Sequence, residues 1–171
     1  MTLDDLEIER TASDLATATL VDALDRHRPR LLAIARSLRA GDPEDLVQTT
    51  FELAIRNVGG LQRAEALWPW LVTIQAREAF RLRRRLRAAV PFGTADDLDR
   101  GGVADTEPDF AASADLRDAL RRLPPRVRAA VVLHYMADLS VAETAAALDV
   151  SENTVKTQLK TGLQKLRESM S

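Results

Sequence analysis

The stretch LSVAETAAALDVSENTVKTQLKTGLQKLR, residues 139–167, decides how the chain is read. Ser140 and Glu143 form a capping-box start, in which a hydroxyl and a carboxylate satisfy two otherwise unpaired backbone N–H groups. A short Ala-rich helix over 141–148 is expected behind it. Asp149 and Val150 interrupt that helix, and Asp at 149 suits the left-handed turn conformation that most side chains avoid. Ser151 then caps a longer helix in which Val155, Leu159, Leu163 and Leu166 recur at helical spacing as one buried stripe. The opposite face carries Asn153, Thr157, Lys160, Thr161 and Gln164, with Lys156 on its flank.

A short helix, a tight turn and an amphipathic helix with a polar, mildly basic face is the layout that puts a recognition helix into a DNA major groove. An ordinary helical hairpin has the same layout, so layout alone leaves both readings open. Small residues at 145–147 allow close helix crossing and favour the first.

The chain of 171 residues is long enough for one medium domain or two small ones. No segment approaches the ~20 apolar residues of a membrane span, and the acidic N-terminus is unlike a signal peptide. A cytoplasmic protein without membrane insertion is expected. There is no Cys, and His27 and His134 are far apart in sequence, so neither disulfide nor metal site is expected. Each His is expected to be a half-buried helix residue. The net charge of -2 hides a segregation, with six Arg against one Glu over 77–87 and six acids against one Arg over 94–109. Local patches rather than the total set the field at a surface.

Read in order, residues 1–10 are a lead-in, and helical periodicity stays weak up to 19. Leu24, Leu31, Ala35 and Leu38 keep helical spacing around Pro29, which starts a new helix or kinks the old one. Gly41 ends that segment, Asp42 caps the next, and Pro43, Glu44 and Asp45 suit its first turn. This helix should run to about 57, burying Val47, Phe51, Ala54, Ile55 and Val58. Its outer face of Asp45, Gln48, Thr49, Glu52 and Arg56 is, on residue type alone, a solvated face. After Gly59 and Gly60, residues 64–88 form the longest expected helical stretch, with Leu71, Ile74, Leu82 and Leu86 on one face and Gln75 and Glu78 intruding on it.

Trp68, Trp70 and Phe80 either stack on unpaired bases or fill the core, and core is the better reading for Trp70. Arg77, Arg81 and Arg84 share a stripe suited to successive phosphates, which adds affinity without reading sequence. A solvated helix end is the alternative. Residues 90–113, with their Pro, Gly and acidic residues, read as a linker. A short helix over 115–123 stops at Pro124 and Pro125, and 126–137 supplies the scaffold for the opening helix pair. No Gly-rich phosphate loop, nucleophile beside a His or paired His on a helix is present, so no enzyme and no cofactor are expected.

Four runs together carry a family resemblance: LRRLPPRVRAAVVLHYMADLS over 120–140, AETAAALDVSENTVKTQLK over 142–160, LQKLR over 163–167 and, upstream, DPEDLVQTTF over 42–51. The first three are similar to region 4 of bacterial sigma factors, Thr154, Val155 and Lys156 being the strongest match. The fourth is similar to the region 2 helix that grips the polymerase clamp. Trp70, Leu71 and Ile74 resemble the Trp-Leu-x-x-Ile signature of the extracytoplasmic-function group, where this Trp is largely structural.

The resemblance implies an all-α protein with a region 2-like bundle over 11–88, an acidic linker over 89–112 and a region 4-like helix-turn-helix domain over 113–171. It implies core RNA polymerase, promoter DNA and an anti-sigma factor as partners. Asp45, Gln48, Thr49 and Glu52 would meet polymerase. Arg77, Arg81 and Arg84 would meet the minus-ten region. Asn153, Thr154, Lys156, Thr157, Lys160, Thr161 and Gln164 would meet the minus-thirty-five element. The chain departs from the family pattern at Thr49, where an acid is usual, at Arg77 and Arg81, where Asn and Asp are common, at Asp149, where Gly is usual, and at Gln158, where Arg is usual. The helix pair also resembles the DNA-binding module of response regulators. A regulator acting without polymerase, or a sigma-like interaction protein that no longer reads promoters, remain alternatives.

Overall fold

The computed structural model describes residues 3–89 and 114–170. Among them are seven α-helices and no strand: α1 (Leu3–Leu38), α2 (Pro43–Arg56), α3 (Leu67–Ala89), α4 (Ala114–Arg122), α5 (Pro125–Val131), α6 (Val141–Leu148) and α7 (Glu152–Met170). Short 3-10 turns at Val58–Gly60 and Ala64–Ala66 lead from α2 into α3, and a π-helical turn, Val132–Met136, follows α5. The fold is all-α, as the periodicity predicts.

The N-terminal stretch differs from expectation. Instead of a weakly helical lead-in, the chain is helical from Leu3, and α1, not the helix after Gly60, is the longest of the described elements. Between Leu3 and Pro29 there is no Gly or Pro to break it, and it continues through Pro29. Leu24 and Leu31, buried on either side of that proline, hold the helix in place.

α2 starts as its sequence dictates, with Asp42 accepting a hydrogen bond from the Asp45 N–H at 3.0 Å and Pro43 in the first turn. Its inward stripe is Leu46, Val47, Thr50, Phe51 and Ala54, and the buried Thr50 hydroxyl donates to the Leu46 carbonyl. Ile55 and Val58, expected inside, are 40% and 45% exposed. The helix ends at Arg56, so the burial seam stops with Ala54, and Asn57 caps the end by donating to the Leu53 carbonyl.

The second half is built around α4–α7, with Leu120, Leu123, Val131, Ala145, Val155, Leu159 and Leu166 in one cluster. A larger cluster belongs to both halves. It joins Leu24, Leu31, Ile34, Val47, Leu71, Val72 and Ala76 of the first to Ala129, Val132, Leu133, Ala137, Leu139 and Ala147 of the second. The halves are therefore closed on each other, with α1 against α5 and the π-helical turn, and α3 against α6. The linker region, 90–113, lies outside the described residues.

Candidate nucleic-acid and polymerase interfaces

The helix pair at the C-terminus forms as the local signals require. The Ser140 hydroxyl accepts from the Glu143 N–H at 3.1 Å while the Glu143 carboxylate accepts from the Ser140 N–H at 2.8 Å, completing the capping box. Asp149 ends α6 in the left-handed region, at φ 54° and ψ 51°. Ser151 caps α7, accepting from the Thr154 N–H at 3.1 Å.

α7 buries Val155, Leu159, Gly162 and Leu166. Gly162, not Leu163, holds the third place in the stripe. A Cβ at 162 would lie 2.5 Å from Val131 Cγ2 and 3.2 Å from Val127 Cγ1, so the missing side chain is what lets α7 approach α5 this closely.

The opposite face of α7 is open. Asn153, Thr154, Lys156, Thr157, Lys160 and Gln164 are exposed and Thr161 is half-buried. Thr157 donates to the Asn153 carbonyl and Gln164 to the Glu168 carboxylate, both at 3.0 Å. Neither Lys156 nor Lys160 has a carboxylate partner among the described residues, which leaves two ammonium groups free on one face. Gln158 is half-buried with its Oε1 shielded and unpartnered, so it is turned inward, away from that face.

On α2, Asp45, Gln48 and Glu52 are exposed and Thr49 half-buried. Gln48 donates to Glu52 at 3.4 Å, and Arg28 holds neighbouring Glu44 at 2.8 Å, fixing the helix start against α1. The result is an acidic, polar ridge on a well-anchored helix.

α3 is engaged on several sides. Gln75, fully buried, donates to the Leu31 carbonyl at 3.0 Å, and Glu78, 6% exposed at its side chain, takes two hydrogen bonds from Arg81 at 2.7 Å and 2.6 Å. Of these two polar residues, which break the apolar face in sequence, Glu78 is thus satisfied inside, whereas Gln75 is paired through its amide N–H and its buried Oε1 has no partner among the described residues. Arg81 is held above the usual arginine pKa by the hydrogen bond to Glu78 and by its charge. Arg77 donates to the Ala146 carbonyl at 3.2 Å, and Arg83 to the Leu38 and Arg39 carbonyls at 3.3 Å and 3.0 Å. Arg84, the third residue of the expected stripe, lines a cleft of about 820 Å³ between α3 and the α5–α6 segment, together with Arg77, Arg81 and Arg126.

Trp68, Trp70 and Phe80 all pack against the shared core. Trp68 also bridges the halves. Its indole N–H donates to the Ala137 carbonyl, Arg30 lies over its ring at 4.0 Å, and His27 sits 5.2 Å from it by ring centroids. Arg30 in turn reaches Asp138 at 3.3 Å. Partial burial, then the positive charges of Arg30 and Arg26, lower the His27 pKa. His27 and His134 are both half-buried helix residues, as expected, and no metal-ligand cluster occurs among the described residues. None of their helices is long and apolar enough to cross a membrane.

Two family models match the chain: sigma-70 region 2 over residues 23–89 and sigma-70 region 4 over residues 113–166. The chain is 33% identical over 158 residues to the RNA polymerase sigma factor CarQ of Myxococcus xanthus, covering 91% of each protein. It is 33% identical over 171 residues to the ECF RNA polymerase sigma factor SigE of Mycolicibacterium smegmatis, covering 94% of this chain and 65% of the relative. In structure it is similar to the sigma factor RpoE of Bartonella quintana, solved in complex with the anti-sigma factor NepR, at a TM-score of 0.70 and 25% identity over 87% of this chain and 94% of that one. The chain belongs to the sigma-70 family of RNA polymerase sigma factors, in its extracytoplasmic-function group.

Proposed function

We propose that the protein docks on core RNA polymerase through the α2 ridge, meets the opened minus-ten strand with α3, and lays α7 in the major groove at the minus-thirty-five element. The units that do this are residues 11–88 and 113–171, joined by the acidic segment 89–112. Asp45, Gln48, Thr49 and Glu52 make the polymerase contact, where a polar ridge on an anchored helix offers directional hydrogen bonds with little ordering cost. Asn153, Thr154, Lys156, Thr157, Lys160, Thr161 and Gln164 face the duplex, the lysines supplying phosphate affinity and the amide and hydroxyl groups hydrogen bonds to base edges. Arg77, Arg81 and Arg84 supply positive charge to the opened strand.

The observation that carries this reading is the pair of lysines, Lys156 and Lys160, with no carboxylate partner among the described residues, on the exposed face of a capped helix on the same chain as the acidic ridge. The protein acts by recruitment rather than by catalysis, in the cytoplasm. An anti-sigma factor that holds it inactive fits the complex in which the relative from Bartonella quintana was solved. Run-off transcription from a pool of promoter fragments with core polymerase tests the reading. Defined start sites that Asp45→Arg abolishes are expected; duplex binding by α7 without any defined start would overturn polymerase docking in favour of a regulator.

A further inference from the structure

The cleft of about 820 Å³ between α3 and the α5–α6 segment has the size of a small-molecule site. Six arginines and only two carboxylates line it, and one of those carboxylates, Glu78, is already taken by Arg81. Arg84, Arg87 and Arg126 are exposed and have no carboxylate partner among the described residues. Arg84 and Arg87 come from α3, whereas Arg126 stands on α5, on the opposite wall, its guanidinium 5.9 Å from the centre of the Phe80 ring. Guanidinium groups gathered on two walls of one cleft repel one another. An anion between them removes the repulsion and accepts forked hydrogen bonds from both sides.

The charge is confined to one end. Along α3 the lining passes from Trp70 and Ile74 to Arg77, Arg81, Arg84 and Arg87 in steps of three or four residues, and from Ile74 to Arg84 the reach is about 15 Å at about 1.5 Å per residue. At the apolar end the Trp70 indole N–H has no hydrogen-bond partner among the described residues. Asn57, which the short turns between α2 and α3 set at the same end, spends its amide N–H on the Leu53 carbonyl and keeps its side-chain oxygen as an acceptor. An apolar wall with one donor and one acceptor suits a heterocyclic ring, and a row of guanidinium groups suits a chain of phosphates. Inorganic polyphosphate would satisfy the second end but not the first.

We propose that this cleft binds a nucleoside polyphosphate, its ring against Trp70, Ile74 and Leu148 and its phosphates among Arg84, Arg87 and Arg126. The site does not depend on the strand reading of α3, in which Arg87 and Arg126 take no part. Arg84 belongs to both, so nucleotide and strand compete for it, and nucleotide concentration becomes an input to promoter use.

Isothermal titration calorimetry on the full-length protein tests the site, with ATP, adenosine and tripolyphosphate as probes and no added divalent cation. ATP is expected to bind one to one and more tightly than either fragment. Arg87→Ala and Arg126→Ala, both at exposed positions, should each weaken ATP about tenfold, while Arg63→Ala, at an exposed position outside the cleft, leaves it unchanged. A single-stranded minus-ten oligonucleotide is titrated in parallel, and its affinity should be the same for Arg126→Ala as for the unsubstituted protein. No ATP binding at millimolar concentration, tripolyphosphate as tight as ATP, or equal weakening by Arg63→Ala overturns the site and leaves only a general attraction of anions to arginine. ATP binding that Arg126→Ala weakens, without any oligonucleotide binding, upholds the site and removes only the strand assignment of α3.

Discussion

The indole N–H of Trp68, in α3, donates to the carbonyl oxygen of Ala137, 2.7 Å away across the seam between the two halves. The same ring carries the Arg30 guanidinium on its face, so one side chain ties α1, α3 and the segment after the π-helical turn together.

Replacing Trp68 by Phe keeps an aromatic ring but strands the Ala137 carbonyl. Leaving a buried acceptor unpaired costs about 1–3 kcal/mol. The melting temperature should fall by several degrees, at about 2–4 °C per kcal/mol for a chain of this size. Thermal denaturation checks the fall, and an increase in radius of gyration would place the loss at the seam; an unchanged melting temperature would show that the bond contributes nothing net.

Gly162→Ala sets two effects against each other. Alanine gains about 1 kcal/mol of helix propensity over glycine. Its Cβ, however, would meet Val131 Cγ2 at 2.5 Å, and a β-branched neighbour has little freedom to move away. Overpacking of this kind costs about 1–3 kcal/mol, so net destabilisation is expected. Denaturant titration gives the sign, and weaker binding to the cognate duplex should accompany it as α7 is pushed off α5.

Lys156→Ala and Lys160→Ala should each weaken duplex binding and reduce the slope of log affinity against log salt by about 0.9. Asn153→Ala should instead relax sequence preference with the salt slope unchanged. Binding titrations at several salt concentrations separate the two classes. Promoter-directed transcription unaffected by all three substitutions would remove α7 from recognition.

His27 gives the fold a pH dependence whose direction follows from its environment. Burial and the neighbouring arginines lower its pKa from 6.5, so the unfolded chain takes up the proton first as pH falls. Where the unfolded state binds more protons, stability rises with pH. The contribution is complete above pH 6.5 and is lost progressively below it, down through the folded-state value. Denaturation midpoints measured on either side of that pH should show the slope, and His27→Gln should flatten it.

The parts of the molecule legible in sequence are those fixed by neighbours along the chain. Ser140 with Glu143, Asp42 before Pro43, and Asp149 in a left-handed turn each act within one helical turn, and each stands as read. The seam was not legible, because Trp68 meets Ala137 and Arg77 meets Ala146 across 69 positions of sequence in both cases. Gln75 looked like an interruption of an apolar face because its partner, the Leu31 carbonyl, is remote in sequence, whereas the partner of Glu78, Arg81, stands one helical turn away and was available from spacing. Ile55 and Val58 failed in the opposite direction: apolar character put them inside, but the helix ends before the core can reach them. Gly162 carries a signal that was available, a glycine inside an otherwise regular helix, which points to close backbone approach.

The larger apolar cluster belongs to both halves, so separating them would expose apolar surface on each. Either half produced alone should therefore take up an apolar dye more strongly than the whole chain does, and mixing the two halves should reverse the gain.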